Sequence, residues 1–292
     1  MKLAYHVVDV FTTTPLEGNA LAVFPDATDV DSATMQRIAR ELNLSETTFV
    51  LPAESSADGI RVRIFTPASE LPFAGHPTIG TAYILRRLGI VPPEKQRFVL
   101  SENVGPVPIR VEAGDDPILW LTTPPIRKLG ELGRERSARA LSLTPDRLVP
   151  GVPCEILSAG NPIAFLAVRD GTAVDDARVD SALLIDLLRG TKNPVCMFVF
   201  APTEGGAYSR MFAPLLGVPE DPATGSATGP LAAFMMKHGL VSSADATRFI
   251  SEQGVKMGRR SLLHVLINGE HGKRAIEVGG NVVHVAEAAM HL

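Results

Sequence analysis

Residues 63–67, RIFTP, return at 210–214 as RMFAP, 147 positions later in a chain of 292. Such an echo is tested first, because an internal repeat decides the architecture. Working outward, GNALA at 18–22 matches GNPIA at 160–164, with Asn19 and Asn161 142 positions apart. RFVLSENVG at 97–105 answers RFISEQG at 248–254, with Ser101 and Ser251 150 apart. Three matches in one order at nearly constant spacing imply a duplicated unit.

Each half has the same coarse layout. A strand turning at Gly-Asn leads to an amphipathic helix, predicted over 34–42 and 181–189. Strands ending FVLP at 49–52 and FVFAP at 198–202 follow, then the RIFTP or RMFAP strand. A Pro- and Gly-rich loop opens into an apolar helix, 78–88 in one half and 231–240 in the other, before further strands close the unit. Many strands with few helices point to an α+β fold of two similar domains. The boundary is expected near Pro117–Pro125, giving domains 1–120 and 121–292, with the last strand, NVVHVAEAAM, left open between them.

Composition excludes several function classes. The net charge of −4 comes without a basic run, so no nucleic-acid footprint is visible. No window approaches the roughly 20 apolar residues of a membrane helix, and the N-terminus carries no signal-peptide pattern, so a cytoplasmic protein is expected. Cys154 and Cys196 are too few for a disulfide framework and are read as buried thiols. His6, His238, His264, His271, His284 and His291 lack metal-ligand spacing and are read as structural, so no metal is expected.

The two loop-to-helix junctions are the most informative stretches: SELPFAGHPT from Ser69 and VPEDPATGSATGP from Val218. Gly75 and His76 precede Pro77 in one; Gly225, Ser226 and Thr228 occupy the other. Small residues there leave the first N–H groups of a helix open to a ligand, and the helix start carries about half a positive charge. Each junction suits a carboxylate or a developing enolate oxygen. Neither matches a P-loop or a dinucleotide fingerprint, so no nucleotide cofactor is expected.

Structural positions should recur in both halves, whereas a catalytic residue need occur only once. Aligning Phe49 with Phe198 sets Glu46 against Val195, and Glu46 sits among apolar neighbours that desolvate a carboxyl. His76 stands against Ser226, and Asp221 has no counterpart unless Glu70 serves. A histidine at a helix N-terminus tends to stay neutral, able to donate a hydrogen bond or accept a proton. The competing readings are an exposed turn carboxylate for Glu46, a capping residue for His76 and a turn residue for Asp221.

At DVFTTTPLEGNALAVF, NLSETTFV, RIFTPASELPFAGHPTIGTA and EDPATGSATGPLAAF the chain resembles the phenazine-biosynthesis PhzF family, whose fold is like that of diaminopimelate epimerase. The resemblance covers both halves, departing at Ala20 and Leu21 where the family more often has Pro-Val. It implies two half-barrels related by pseudo-twofold symmetry, each wrapped around a central helix and facing a common cleft, usually in a homodimer. It also implies that Glu46 is the main acid/base, helped by His76 and Asp221, while Asn19, Gly75, Gly225 and Ser226 hold the substrate. The implied activity is a cofactor-independent proton shift on a small, cyclic or conjugated carboxylate. A two-thiol racemase is not expected, because His76 and Ser226 stand where the similar epimerases carry cysteines. A Ser226 hydrolase lacks its GxSxG elbow. The alternative from another class is a non-catalytic binding protein on the same fold.

Overall fold

Alternation along the strands sets the layers. In the second half Met197, Val199 and Ala201 join one apolar core while Cys196, Phe198 and Phe200 join another, so this strand is buried on both faces. The computed structural model describes residues 1–52, 59–114, 116–191, 194–241, 246–269 and 275–292. His271, read above as structural, lies outside them. The chain divides into two compact units, Met1–Pro124 with Glu277–Leu292, and Pro125–Ile276.

The first unit contains β1 (Lys2–Val10), β2 (Asn19–Phe24), α1 (Ser32–Leu42), β3 (Glu46–Leu51), β4 (Ile60–Phe65), β5 (Glu70–Leu71), α2 (Gly75–Arg87), β6 (Arg97–Glu102), β7 (Gly105–Val111) and β8 (Leu119–Thr122). The second runs β9 (Arg127–Leu132), α3 (Arg134–Ala140), β10 (Cys154–Ser158), β11 (Pro162–Ala167), α4 (Gly171–Asp176), α5 (Ser181–Leu187), β12 (Cys196–Thr203), β13 (Gly206–Ala213), β14 (Val218–Asp221), α6 (Gly225–Lys237), β15 (Ala246–Gln253) and β16 (Ser261–Asn268). β17 (Ala275–Gly280) and β18 (Val282–His291) end the chain.

The duplication is written in the pairings. β1–β2 is antiparallel, β2–β3 parallel, β3–β4 and β4–β5 antiparallel, β4–β6 parallel and β6–β7 antiparallel. Strands β10 to β16 repeat that series step for step. Even the ion pairs recur: Arg63 grips Glu70 and Arg210 grips Glu220, each through Nε and Nη2, with each guanidinium over a phenylalanine two residues on.

In the first unit β8 pairs with β7 and with β17, while β1 pairs with β2 and with β18. Only Asn281 separates β17 from β18, so one C-terminal segment borders both ends of the strand run and closes it around α2. Helix α2 touches β1, β2, β3, β8 and β18 and is buried on nearly every side. Gly80 lets it lie that close: a Cβ there would meet Leu21, Val10 and Val8 side chains at 2.6–3.1 Å. Helix α1 covers the outer face over Phe24, Phe49 and Phe65. In the second unit α6 packs on Phe165, Phe198 and Phe200, and α3, α4 and α5 cover the opposite face.

Three expectations shift. Helices α2 and α6 begin at Gly75 and Gly225, earlier than the predicted 78 and 231, because Pro77 and Pro230 are accommodated inside them. Register also realigns the halves: Leu21 pairs with Glu46 and the equivalent Ile163 with Cys196, so Cys196 rather than Val195 is the counterpart of Glu46. Residues 277–292, grouped by the sequence with domain 121–292 and left open there, lie with the first unit.

Candidate active site

Glu46 opens β3, and strand alternation aims it. Two residues on, the Thr48 hydroxyl meets Thr81 of α2 at 2.8 Å, so Glu46 shares the face that looks toward α2. Its Oε2 lies 3.2 Å from Nε2 of His76 in the first turn of that helix. The contact is close but not aligned as a hydrogen bond, and pairs of this kind tighten when a ligand binds. Burial pushes the His76 ring down to about 3, so it is neutral at physiological pH.

The ring has a defined tautomer. Asn19 Nδ2 stands 3.1 Å from His76 Nδ1 inside the protein. An amide NH2 only donates, so Nδ1 accepts and the ring proton sits on Nε2, facing Glu46. The turn that delivers Asn19 depends on Gly18, whose φ of 66° is left-handed and whose Cβ would strike the Val10 carbonyl at 2.4 Å.

In the second unit, Asp221 ends β14 and accepts from the Thr224 hydroxyl at 2.5 Å. Gln253 fixes this corner by donating to the Asp221 carbonyl at 2.7 Å and to Thr224 Oγ1 at 3.0 Å, and by accepting from the Thr224 N–H at 3.1 Å. Register aligns Asp221 with Leu71, while Glu70 and Glu220 are the matched, Arg-bound pair. Asp221 therefore occurs in one half only. Ser226 is buried in the first turn of α6.

Ala74 and Thr224, the N-caps of α2 and α6, make no side-chain cap to their helices. Glycine follows each, so the helix starts keep a backbone face that an anion fits. The structure thus brings Asn19, Glu46, Gly75 and His76 together, and separately Asp221, Gly225 and Ser226. Sequence reasoning missed two residues behind them. Gln253 is one; the other is its register counterpart Glu102, 4% exposed, whose Oε1 lies 2.6 Å from Thr78 Oγ1. Alternation along β6 and β15 marks both as inward-facing polar residues, the signal that was available.

The fold defines a class: two duplicated units, each strand-wrapped about a buried helix whose start carries polar, proton-active groups. A family model for phenazine biosynthesis-like proteins matches residues 8–288, and the chain belongs to that family. It is 36% identical over 282 residues to the trans-2,3-dihydro-3-hydroxyanthranilate isomerase of Pseudomonas fluorescens, covering 96% of each chain. It is 30% identical over 280 residues to an uncharacterized isomerase, YddE, of Escherichia coli strain K12, covering 91% of each. Among solved structures, a predicted epimerase of Pseudomonas aeruginosa superposes with a TM-score of 0.81 at 32% identity over 99% of both chains. A PhzF-family protein of Bacillus anthracis gives 0.88 at 24% identity over the whole of both, and a hydroxyproline epimerase of Agrobacterium vitis 0.67 at 14% over 99% of this chain and 92% of that one, which speak for the fold. The protein is an isomerase.

Proposed function

We propose that the isomerase works without a cofactor, moving a proton on a small carboxylate-bearing, cyclic or conjugated substrate. The observation that carries this reading is the Glu46 carboxylate set against a buried, neutral His76 at the start of α2. Glu46 removes a carbon-bound proton made acidic by conjugation. His76, too weak a base to hold that proton, donates from Nε2–H to the carboxylate and keeps it aimed, and Glu46 returns the proton elsewhere in the conjugated system. The starts of α2 and α6, with Gly75, Gly225 and Ser226, supply donors for substrate oxygens, and Asp221 supplies a second acid/base group. Trans-2,3-dihydro-3-hydroxyanthranilate is the first substrate to try, since relatives at 36% identity are named for it. The homodimer implied by the resemblance belongs to this reading too.

The test is proton exchange in D2O, followed by NMR, with a panel of cyclic carboxylates including that compound. Wild-type protein should incorporate deuterium, and Glu46→Gln should lose roughly 10²- to 10⁴-fold in rate while binding with nearly unchanged affinity. Unchanged exchange in the variant removes Glu46 from the mechanism. Binding across the panel without exchange in the wild type would favour the non-catalytic alternative.

A further inference from the structure

Side chains from the two ends of the chain meet at the other end of the first unit. His6 Nδ1 lies 3.2 Å from His284 Nε2, and Glu287 Oε1 is 3.8 Å from the former and 3.7 Å from the latter. All three belong to the β1–β18 pair. His6 and Glu287 are direct cross-strand partners, and a bulge opposite Val7/Val8 sets His284 across from Val8. Without that extra residue position 285 would stand there, and the His284 side chain would point to the opposite face. Val8 faces α2, where a Cβ on Gly80 would touch it, so His6 and the re-aimed His284 look into the same interior. Arg87, in the last turn of α2, is near enough to help lower the His284 pKa after burial. His76 stands in the first turn of that helix, roughly 16 Å away along its axis at 1.5 Å per residue. This cluster is therefore separate from the Glu46–His76 pair.

We propose that His6, His284 and Glu287 form a zinc site that clips the C-terminal strand β18 to β1. Two imidazoles and one carboxylate are a ligand set zinc favours, and softer than calcium or magnesium prefers. Tetrahedral zinc with bonds of about 2.0–2.1 Å holds its ligand atoms roughly 3.3–3.4 Å apart. The observed separations of 3.2, 3.7 and 3.8 Å reach that spacing with small side-chain movement. Glu287 is 63% exposed, which leaves an entry path from solvent. The charge of Arg87 opposes a dication, so binding should be weaker than in a structural zinc finger. The inference stands apart from the isomerase reading and survives its failure.

The measurement is zinc titration of the tag-free full chain by calorimetry, with cobalt substitution read by its visible spectrum. One zinc per chain should bind and raise the melting temperature, because the metal binds the folded strand pair. The cobalt complex should show d–d bands without thiolate charge transfer. His284→Ala and Glu287→Ala should each weaken binding at least tenfold with unchanged circular dichroism, comparable to other losses of metal-site support. Glu287 is exposed, so that variant folds even if His6→Ala does not. No saturable binding to the wild type, equal binding by both variants, or a thiolate spectrum overturns the proposal.

Discussion

At the scale of single residues, the instructive case is Asn19. The resemblance assigns it to the substrate, yet its amide points at His76 Nδ1. We therefore expect it to act as a positioning residue that sets the Nε2–H tautomer. In Asn19→Leu that preference is lost, and in Asn19→Asp the carboxylate draws the ring proton to Nδ1. Both should lower kcat by about 10- to 100-fold, the size seen when the partner that orients a functional histidine is removed. KM should change little. The decisive readout is the 15N spectrum of His76: a wild-type tautomer persisting in both variants would reduce Asn19 to a packing role. Sequence reading singles out Glu46 and His76 because they break the repeat, but sets Glu46 against Val195, since matching phenylalanines by letter ignores which strand positions face each other. It dismissed His6 and His284 for want of local spacing. Their meeting depends on a ladder between residues 278 apart in the chain and on one bulge, neither of which local periodicity encodes.

At the scale of elements, helix α2 carries its own pH dependence. The Thr78 hydroxyl lies 2.7 Å from the Ala74 carbonyl and 2.6 Å from Glu102, and its single proton serves only one of them. The register counterpart, Gln253, meets Thr224 with an amide that can donate. Burial pushes the Glu102 carboxyl up to about 8, so at neutral pH it is protonated and donates as that glutamine does. In the unfolded chain the same group ionises near 4.5. The folded state therefore binds more protons between these values, and stability falls as pH rises from about 4.5 to about 8. Glu102→Gln should remove this slope, gaining on the order of a few kcal/mol near pH 8 and almost nothing near pH 4. Urea unfolding at the two pH values measures it; equal gains at both would show that ionisation is not the cause. The helix was legible in sequence as an apolar run, but its start was not. Pro77 reads as a first-turn residue, where N–H groups lack intrahelical acceptors, but Gly75 and His76 read as preceding the helix and lie within it.

At the scale of the whole molecule, the duplication was legible because three motifs recur in order, and the pairing series repeats it strand by strand. The destination of the C-terminal segment was not, since apolar alternation says that NVVHVAEAAM is a strand without saying which edge it joins. The fold gives it the task of closing the first unit. β17 pairs with β8 and is held by Arg110 on Glu277, and β18 lies along β1 from Lys2 to Val10. Deleting residues 282–292 would leave β1 an open edge over a core that includes Leu3, Val8 and Val10. We expect the truncated chain to self-associate, and amides of β1 and β2 to exchange at least tenfold faster in hydrogen-exchange mass spectrometry. Amides of β12 and β13 should keep their protection, because they lie between two apolar cores of their own unit. Unaltered exchange in β1 would mean that the last strand decorates the unit rather than closing it. Loss of protection in β12 and β13 as well would mean that the effect of the deletion is not confined to the first unit.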